Sequence, residues 1–297
     1  MSVTTRLRDC LSKARSGRRR PRAATVAATT AGLALGAVLL LSPTTNGAFT
    51  ASIRNTNNSA ASSAEFFTCS SAFAADKANA VFAYTLTNAN GSTTAGDASG
   101  NGYTGTYRGS MTSTNVSPQA CPRDAGGSYV LNGSTSYITN AYQQQGPATF
   151  STEVWFKTAV KGGKLIGFGN SATGSSSVYD RHTYINTSGQ LVFGTYNQGN
   201  YQTVTSGVVT DGMWHHVMST MSPNTGMTLY LDGAKVAGNT AFTAPESNTG
   251  YWKIGFDNTS GWAGAGNNYF TGSMRFAALY KTALTATQVQ NHYNAGR

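Results

Sequence analysis

Charge is what this sequence has least of: Asp, Glu, Lys and Arg make up 11% of its 297 residues, against roughly 25% in an ordinary soluble domain. Lys, Glu and Leu, the residues that build long helices, are scarce, which argues against a helical bundle. Cysteine is scarcer still, at three. None lies near a His or a second Cys at the spacing of a zinc site. The sequence lacks a G-x-S-x-G nucleophile elbow and a phosphate loop of the Walker type, which removes two common routes to catalysis. No internal repeat is visible.

What is abundant is Gly, at 34 residues, with 15 Tyr and 13 Phe, and many Ser, Thr and Asn. Tyr, Phe and Thr favour strands, and Gly, Asn and Ser favour the turns between them. Strand-like runs fall at 128–138, 148–157, 164–169, 181–186, 190–196, 201–208, 214–222, 227–231, 251–256 and 269–280. Each is bounded by a turn cluster such as NGS, TSG, NQGN or LDG. Short strands at this spacing predict an all-β, two-sheet antiparallel sandwich. One helical turn closes the chain, with Thr285 as N-cap, Gln288 three residues on, and Leu284 and Val289 facing inward.

The formal charge of +10 is misleading until it is located. Eight basic residues, Arg6 to Arg22, face only Asp9, whereas the remainder carries thirteen basic and ten acidic residues. A nucleic-acid partner needs basic residues clustered on the folded domain, and this distribution places them in the leader. From Ala23 to Leu41 the chain is uncharged and largely apolar. A basic run, an apolar stretch and small residues near Gly47 and Ala48 form the pattern of a secretory signal. Retention as a membrane anchor is the alternative, and membrane contact is expected through this segment alone. Cys10 would leave with the leader. Cys69 and Cys121 then remain as an even pair in an exported chain, which predicts one disulfide, with two separate buried thiols as the alternative.

Three stretches carry a resemblance. DASGNGYTGTY (97–107) is followed by YVLNGSTSYI (129–138). FSTEVWFK (150–157), DGMWHHV (211–217) and LYLDGAKV (229–236) come next, in order. FTGSMRFAALYKTAL (270–284) is last. Together, over about 75–297, they resemble the laminin G-like, concanavalin A-like superfamily of lectins and glucanases. The resemblance implies a concanavalin A-like jelly-roll. The domain plan is then a signal peptide or anchor over 1–48, a spacer or leading strand over 49–72 and the jelly-roll over 73–297.

The resemblance also implies calcium as an alternative to having no cofactor, with Asp97 as a ligand. The second acid that the family places late in the fold is Arg275 here, and an Asp97–Arg275 ion pair is the competing expectation. His215 and His216 are neighbours on a strand, so they point to opposite faces and cannot share one ion.

Catalysis by a retaining glycosidase needs two carboxylates about 5–5.5 Å apart. The glucanase E-x-D-x-x-E strand is missing, and no two acids after the leader lie within ten residues of each other. Only separate strands are left to join two acids, Glu153 and Asp180 being the candidates. Aromatic residues, by contrast, crowd the turns: Tyr179, Tyr184, Tyr196, Tyr201, Tyr251, Trp252 and Trp262. Sugars are held by aromatic platforms with a few placed polar groups. Arg181, His182, Tyr184, Asn186, Tyr196, Tyr201 and Trp262 are therefore the expected ligand-binding set. The expected function is a secreted or cell-surface, non-catalytic, lectin-like module for polysaccharide or glycoprotein. A structural surface or matrix protein and a glycoside hydrolase are the alternatives.

Overall fold

The computed structural model describes residues 66–297, so the leader, Cys10 and residues 49–65 lie outside the described part. Helix α1 (Cys69–Asp76) comes first and a 3-10 turn (Lys77–Asn79) follows. The first strands are short: β1 (Ala80–Tyr84), β2 (Thr94–Ala95), β3 (Gly105–Arg108), β4 (Thr112–Thr114), β5 (Ser128–Asn132), β6 (Tyr137–Asn140) and β7 (Gln144–Gln145). Longer ones follow: β8 (Phe150–Lys157), β9 (Lys164–Gly169), β10 (Tyr179–Ile185), β11 (Gln190–Asn197), β12 (Asn200–Val208) and β13 (Trp214–Ser222). The chain ends with β14 (Gly226–Leu231), β15 (Ala234–Asn239), β16 (Thr249–Ile254), β17 (Thr271–Tyr280) and helix α2 (Ala286–Gly296).

The strands form two antiparallel sheets, as the sequence predicts for a jelly-roll sandwich. The first runs β15-β14-β13-β8-β17-β5-β4 with β1 also on β17, and the second runs β12-β11-β10-β9-β16-β6-β3-β2 with β7 on β16. Alternation along each strand decides which residues meet. In β8, Phe150, Val154 and Phe156 enter the core between the sheets, while Trp155 joins a second apolar cluster outside. In the second sheet Ile185, Leu191 and Phe193 face the core, and Tyr184 and Val192 lie in a third cluster on the outer side. The sheets meet through the rings of Phe150 and Trp252, with centroids 5.6 Å apart, and through a 2.7 Å hydrogen bond between the Thr183 and Ser219 hydroxyls.

Both helices lie on the outer face of the first sheet, where Phe73 of α1 and Val289 of α2 share the cluster of Trp155, Met218 and Tyr280. The predicted capping box of α2 is present: Thr285 accepts from the Gln288 amide and Gln288 reaches back to the Thr285 amide. Leu284 and Val289 are buried as expected. Helix α1 corrects the domain plan, because residues 69–72, read as the end of a spacer, form its first turn. Its N-terminus receives the Asp124 carboxylate, which accepts from the Cys69 amide at 2.8 Å and the Ser70 amide at 3.2 Å, the favourable place for an anion. The predicted Cys69–Cys121 disulfide lies beside it, its Cα atoms 5.7 Å apart.

Two turns show the sequence acting locally. The Asp232-Gly233 corner takes φ of +51° and +79°, the paired left-handed conformation that a two-residue hairpin needs. The run 128–138 is two strands, because the Asn132 side-chain oxygen accepts from the amides of Ser134, Thr135 and Ser136 and folds the chain there.

Candidate functional site

The outer face of the second sheet carries the aromatic residues. Its floor is β10, β11 and β12, with Tyr184 on β10, Tyr196 on β11 and Tyr201 on β12. The loop between β16 and β17 folds back over this floor and presses Trp262 onto it. Gly194 makes the contact possible: a Cβ there would sit 2.5 Å from the indole. Two tyrosines hold the loop down. The Tyr179 hydroxyl donates to the Ser260 carbonyl and the Tyr184 hydroxyl to the Ala263 carbonyl, each at 2.7 Å. The Trp262 ring then meets Tyr201 with centroids 5.0 Å apart, and Tyr201 meets Tyr196 at 4.9 Å.

Beside this group opens a cavity of about 330 Å³, lined by Ser177, Val178, Tyr179, Tyr196, Tyr201, Glu246 and Trp262. Two of its lining residues are large apolar groups left in water, Tyr201 at 54% and Val178 at 39% exposure. Glu246 reaches the rim from the segment before β16. Its amide donates to the Tyr196 carbonyl at 2.8 Å, and its own carbonyl accepts from the Arg181 guanidinium. The backbone is thus fixed on both sides of the carboxylate.

The structure corrects four of the seven expected ligand contacts. Arg181, His182, Tyr184 and Asn186 are all buried. Arg181 sits at φ +44°, in a stretch where the β9–β10 register shifts. Its guanidinium is committed to both Asp180 oxygens at 2.7 Å and, through Nε, to the Pro147 carbonyl at 2.9 Å. His182 and Tyr184 do share a face, as their spacing predicts, but Trp262 covers it. The His182 and Trp262 rings are 4.2 Å apart, and neither imidazole nitrogen has a hydrogen-bond partner. Burial, with Lys164 nearby, holds the His182 pKa well below its ordinary value. Asn186 is a turn former whose side-chain oxygen accepts from the Ser188 and Gln190 amides, both at 2.9 Å.

Tyr196, Tyr201 and Trp262 are the three expected residues brought together at the cavity. Tyr179, Ser177, Val178 and Glu246 complete it and were missed. Tyr179 was visible as one more aromatic beside a turn, whereas Glu246 follows no strand pattern. Trp252 is buried in the core against Phe168.

The remaining candidates are engaged elsewhere. Glu153 lies in the first sheet and Asp180 in the second. Glu153 accepts from the Tyr280 hydroxyl at 2.6 Å and is bonded to His216 and His292, so it and Asp180 do not form a paired-acid site. His215 is bonded to Asp211 and Asp232, and His216 lies across the strand from it. Asp97, the expected calcium ligand, is held by the protein itself. Oδ1 accepts from the Ala83 and Ser99 amides, and Oδ2 from the Ser99 hydroxyl and the Tyr103 amide, all between 2.8 and 3.0 Å. The alternative Asp97–Arg275 pair is absent as well, because Arg275 donates to the carbonyls of Asp124, Ala125 and Gly126.

A family profile described as the concanavalin A-like lectin/glucanases superfamily matches residues 132–290, more than half of the chain. The chain belongs to this superfamily. Among solved structures, the binding domain of Paraclostridial Mosquitocidal Protein 1 aligns at TM-score 0.52 and 15% identity, over 73% of this chain and 52% of that one. The binding domain of botulinum neurotoxin DC, solved in complex with SialylT, aligns at TM-score 0.51 and 14% identity, over 74% of this chain and 52% of that one. The chain therefore spans about half the length of these relatives, and at such identities the likeness is one of fold. No curated protein matches the sequence. Among the described residues no helix is long and apolar enough to cross a membrane.

Proposed function

We propose that this protein is an extracytoplasmic, non-catalytic carbohydrate-binding module whose ligand enters the cavity between Tyr179, Tyr196, Tyr201 and Trp262. The observation that carries the reading is the group itself: four aromatic residues around a 330 Å³ opening, beside which Arg181 and Asn186 are tied down by hydrogen bonds. Aromatic walls with a few placed polar groups are what a sugar's C–H face and hydroxyls require. The lectin-like fold and the binding domains that resemble it are consistent with this. The leader and the Cys69–Cys121 disulfide favour export, since disulfides persist in oxidising compartments. The engaged states of Glu153 and Asp180 favour binding over hydrolysis.

The test is a glycan array probed with the purified full-length protein, followed by Tyr201→Ala on whichever glycan binds. Tyr201 is largely exposed, so its removal leaves folding nearly unchanged. Affinity should fall by about 1–3 kcal/mol, the usual cost of losing an aromatic contact at a binding hot spot. Unaltered affinity in folded Tyr201→Ala would move the site off this face.

A further inference from the structure

We propose that this pocket selects neutral sugars over anionic ones, and that Glu246 makes the choice. The inference rests on the carbohydrate-binding reading and narrows it. Among the described residues Glu246 is the only charged one lining the cavity. Its Oε1 accepts a 3.3 Å hydrogen bond from Asn248, and no described residue donates to Oε2. A carboxylate accepts hydrogen bonds and cannot donate them, so it is matched to the hydroxyls of a neutral sugar. A second carboxylate or a sulfate would instead meet like-charge repulsion there.

Cations do lie near, but beneath the floor. Arg181 is spent on Asp180, Pro147 and the Glu246 carbonyl. Lys164 donates to the Asn258 carbonyl at 2.8 Å behind the Tyr179 ring. Lys253 is paired with Asp257 at 3.0 Å. All three are buried, and none lines the opening. An incoming anion would therefore meet the negative charge of Glu246 at the rim, while below it Arg181 and Lys253 are paired with Asp180 and Asp257 and Lys164 is buried away from the opening.

Glu246 also has a fixed position. With its amide on Tyr196 and its carbonyl on Arg181, its backbone is held beside the aromatic walls, and Asn248 bonds one carboxylate oxygen. Hydrogen bonds from sugar hydroxyls to a placed carboxylate are the stronger, charge-assisted kind. This makes Glu246 a specificity-determining residue, and Arg181 a positioning residue that acts through it.

The experiment uses matched oligosaccharide pairs that differ by one group: neutral against sialylated, neutral against sulfated and neutral against glucuronate-bearing. Affinities are measured for the full-length protein, for Glu246→Gln and for Glu246→Asp, with folding checked by circular dichroism. The neutral member should bind the wild type about tenfold tighter or more, the scale of one unscreened like-charge contact. Glu246→Gln should shrink that gap to about threefold or less, whereas Glu246→Asp, which keeps the charge, should retain it. If charged members bind the wild type as tightly as neutral ones, or if Glu246→Gln leaves the gap unchanged, the selectivity is overturned and the sugar-binding reading stands. If no member of any pair binds, the sugar-binding reading fails, and this inference with it.

Discussion

The two outer faces of the sandwich hide charge in opposite ways. On the first sheet, helices α1 and α2 close the face, and beneath them lies a chain of acids and histidines. His292 joins Asp76, at 3.2 Å through Nε2, to Glu153, at 3.0 Å through Nδ1. His216 and Tyr280 add their own bonds to Glu153. On the second sheet a loop rather than a helix covers the face, and beneath it lie Lys164, Lys253 and Arg181. The helices leave a cavity of about 160 Å³ at their edge, while the loop leaves one of about 330 Å³. A buried charge must be partnered wherever it lies, but the larger opening, with four aromatic residues around it, is on the loop-covered face.

The largest expected effect comes from breaking the closed face. Glu153→Gln keeps the shape and removes the charge that His216 and His292 share. Removing one partner of a buried ionic group costs about 3–5 kcal/mol, to be read as a lower urea midpoint with an unchanged slope. Glu246→Gln, the same change on the open face, should cost under about 0.5 kcal/mol because that side chain is partly in water. Equal losses in the two variants would end the distinction between the faces.

Alkaline pH sharpens the comparison, because the two faces respond with opposite sign. Burial lowers the His292 pKa, but Glu153 and Asp76 outweigh it and raise the value to about 9. Between the ordinary 6.5 and that value the native state holds the extra proton, so this group's stability is full below the window and lost as pH rises through 9. The loss is about 3 kcal/mol at most. Lys164 runs the other way. Burial and then Lys253 pull it down, against the pull of Asp257, to about 8. From there to its ordinary 10.5 the unfolded chain binds more protons, so stability rises with pH. Urea midpoints from pH 6 to 10.5 should show the fall flattened in His292→Gln and the later rise flattened in Lys164→Met. A wild-type profile whose slope neither variant alters would refute both assignments.

Much of the scaffold was legible because its signals are local. The Thr285 and Gln288 cap, the Asp232-Gly233 corner and the opposite facing of His215 and His216 each follow from a few adjacent residues. The disulfide followed from there being only one pair left to make. The site was legible only in part, for a physical reason. Period-two alternation says which residues share a face, and it correctly put His182 with Tyr184, but it cannot say what will cover that face. Trp262 does so from 80 positions away, which turns two expected ligand contacts into support. Arg181 left the pattern where the β9–β10 register shifts, and Glu246 belongs to a loop with no periodicity. The Glu153 network joins residues separated by 139 positions along the chain, which no local pattern encodes.

Calcium gives the smallest expected effect, and it bears on a third region, the Asp97 loop beside β1. A Ca²⁺ ion needs six to eight oxygens, carboxylates foremost. Asp97 already accepts four hydrogen bonds, about the full capacity of a carboxylate, and these tie its loop to the amide of Ala83. The Asn101 amide donates to the carbonyls of Ala80 and Val81 at 3.0 Å, which pins the loop to β1. Arg275, in the late strand, donates to the carbonyls of Asp124, Ala125 and Gly126 and supplies no acid. For calcium to enter, several of these bonds must break for one carboxylate in return. A ligand that binds only the native state raises stability according to its concentration over its dissociation constant. Melting temperatures in millimolar Ca²⁺ and in chelator should therefore agree within about 1 °C, the size of a few tenths of a kcal/mol in a domain this large. A rise above about 4 °C that Asp97→Ala abolishes would show that Asp97 exchanges its hydrogen bonds for the ion.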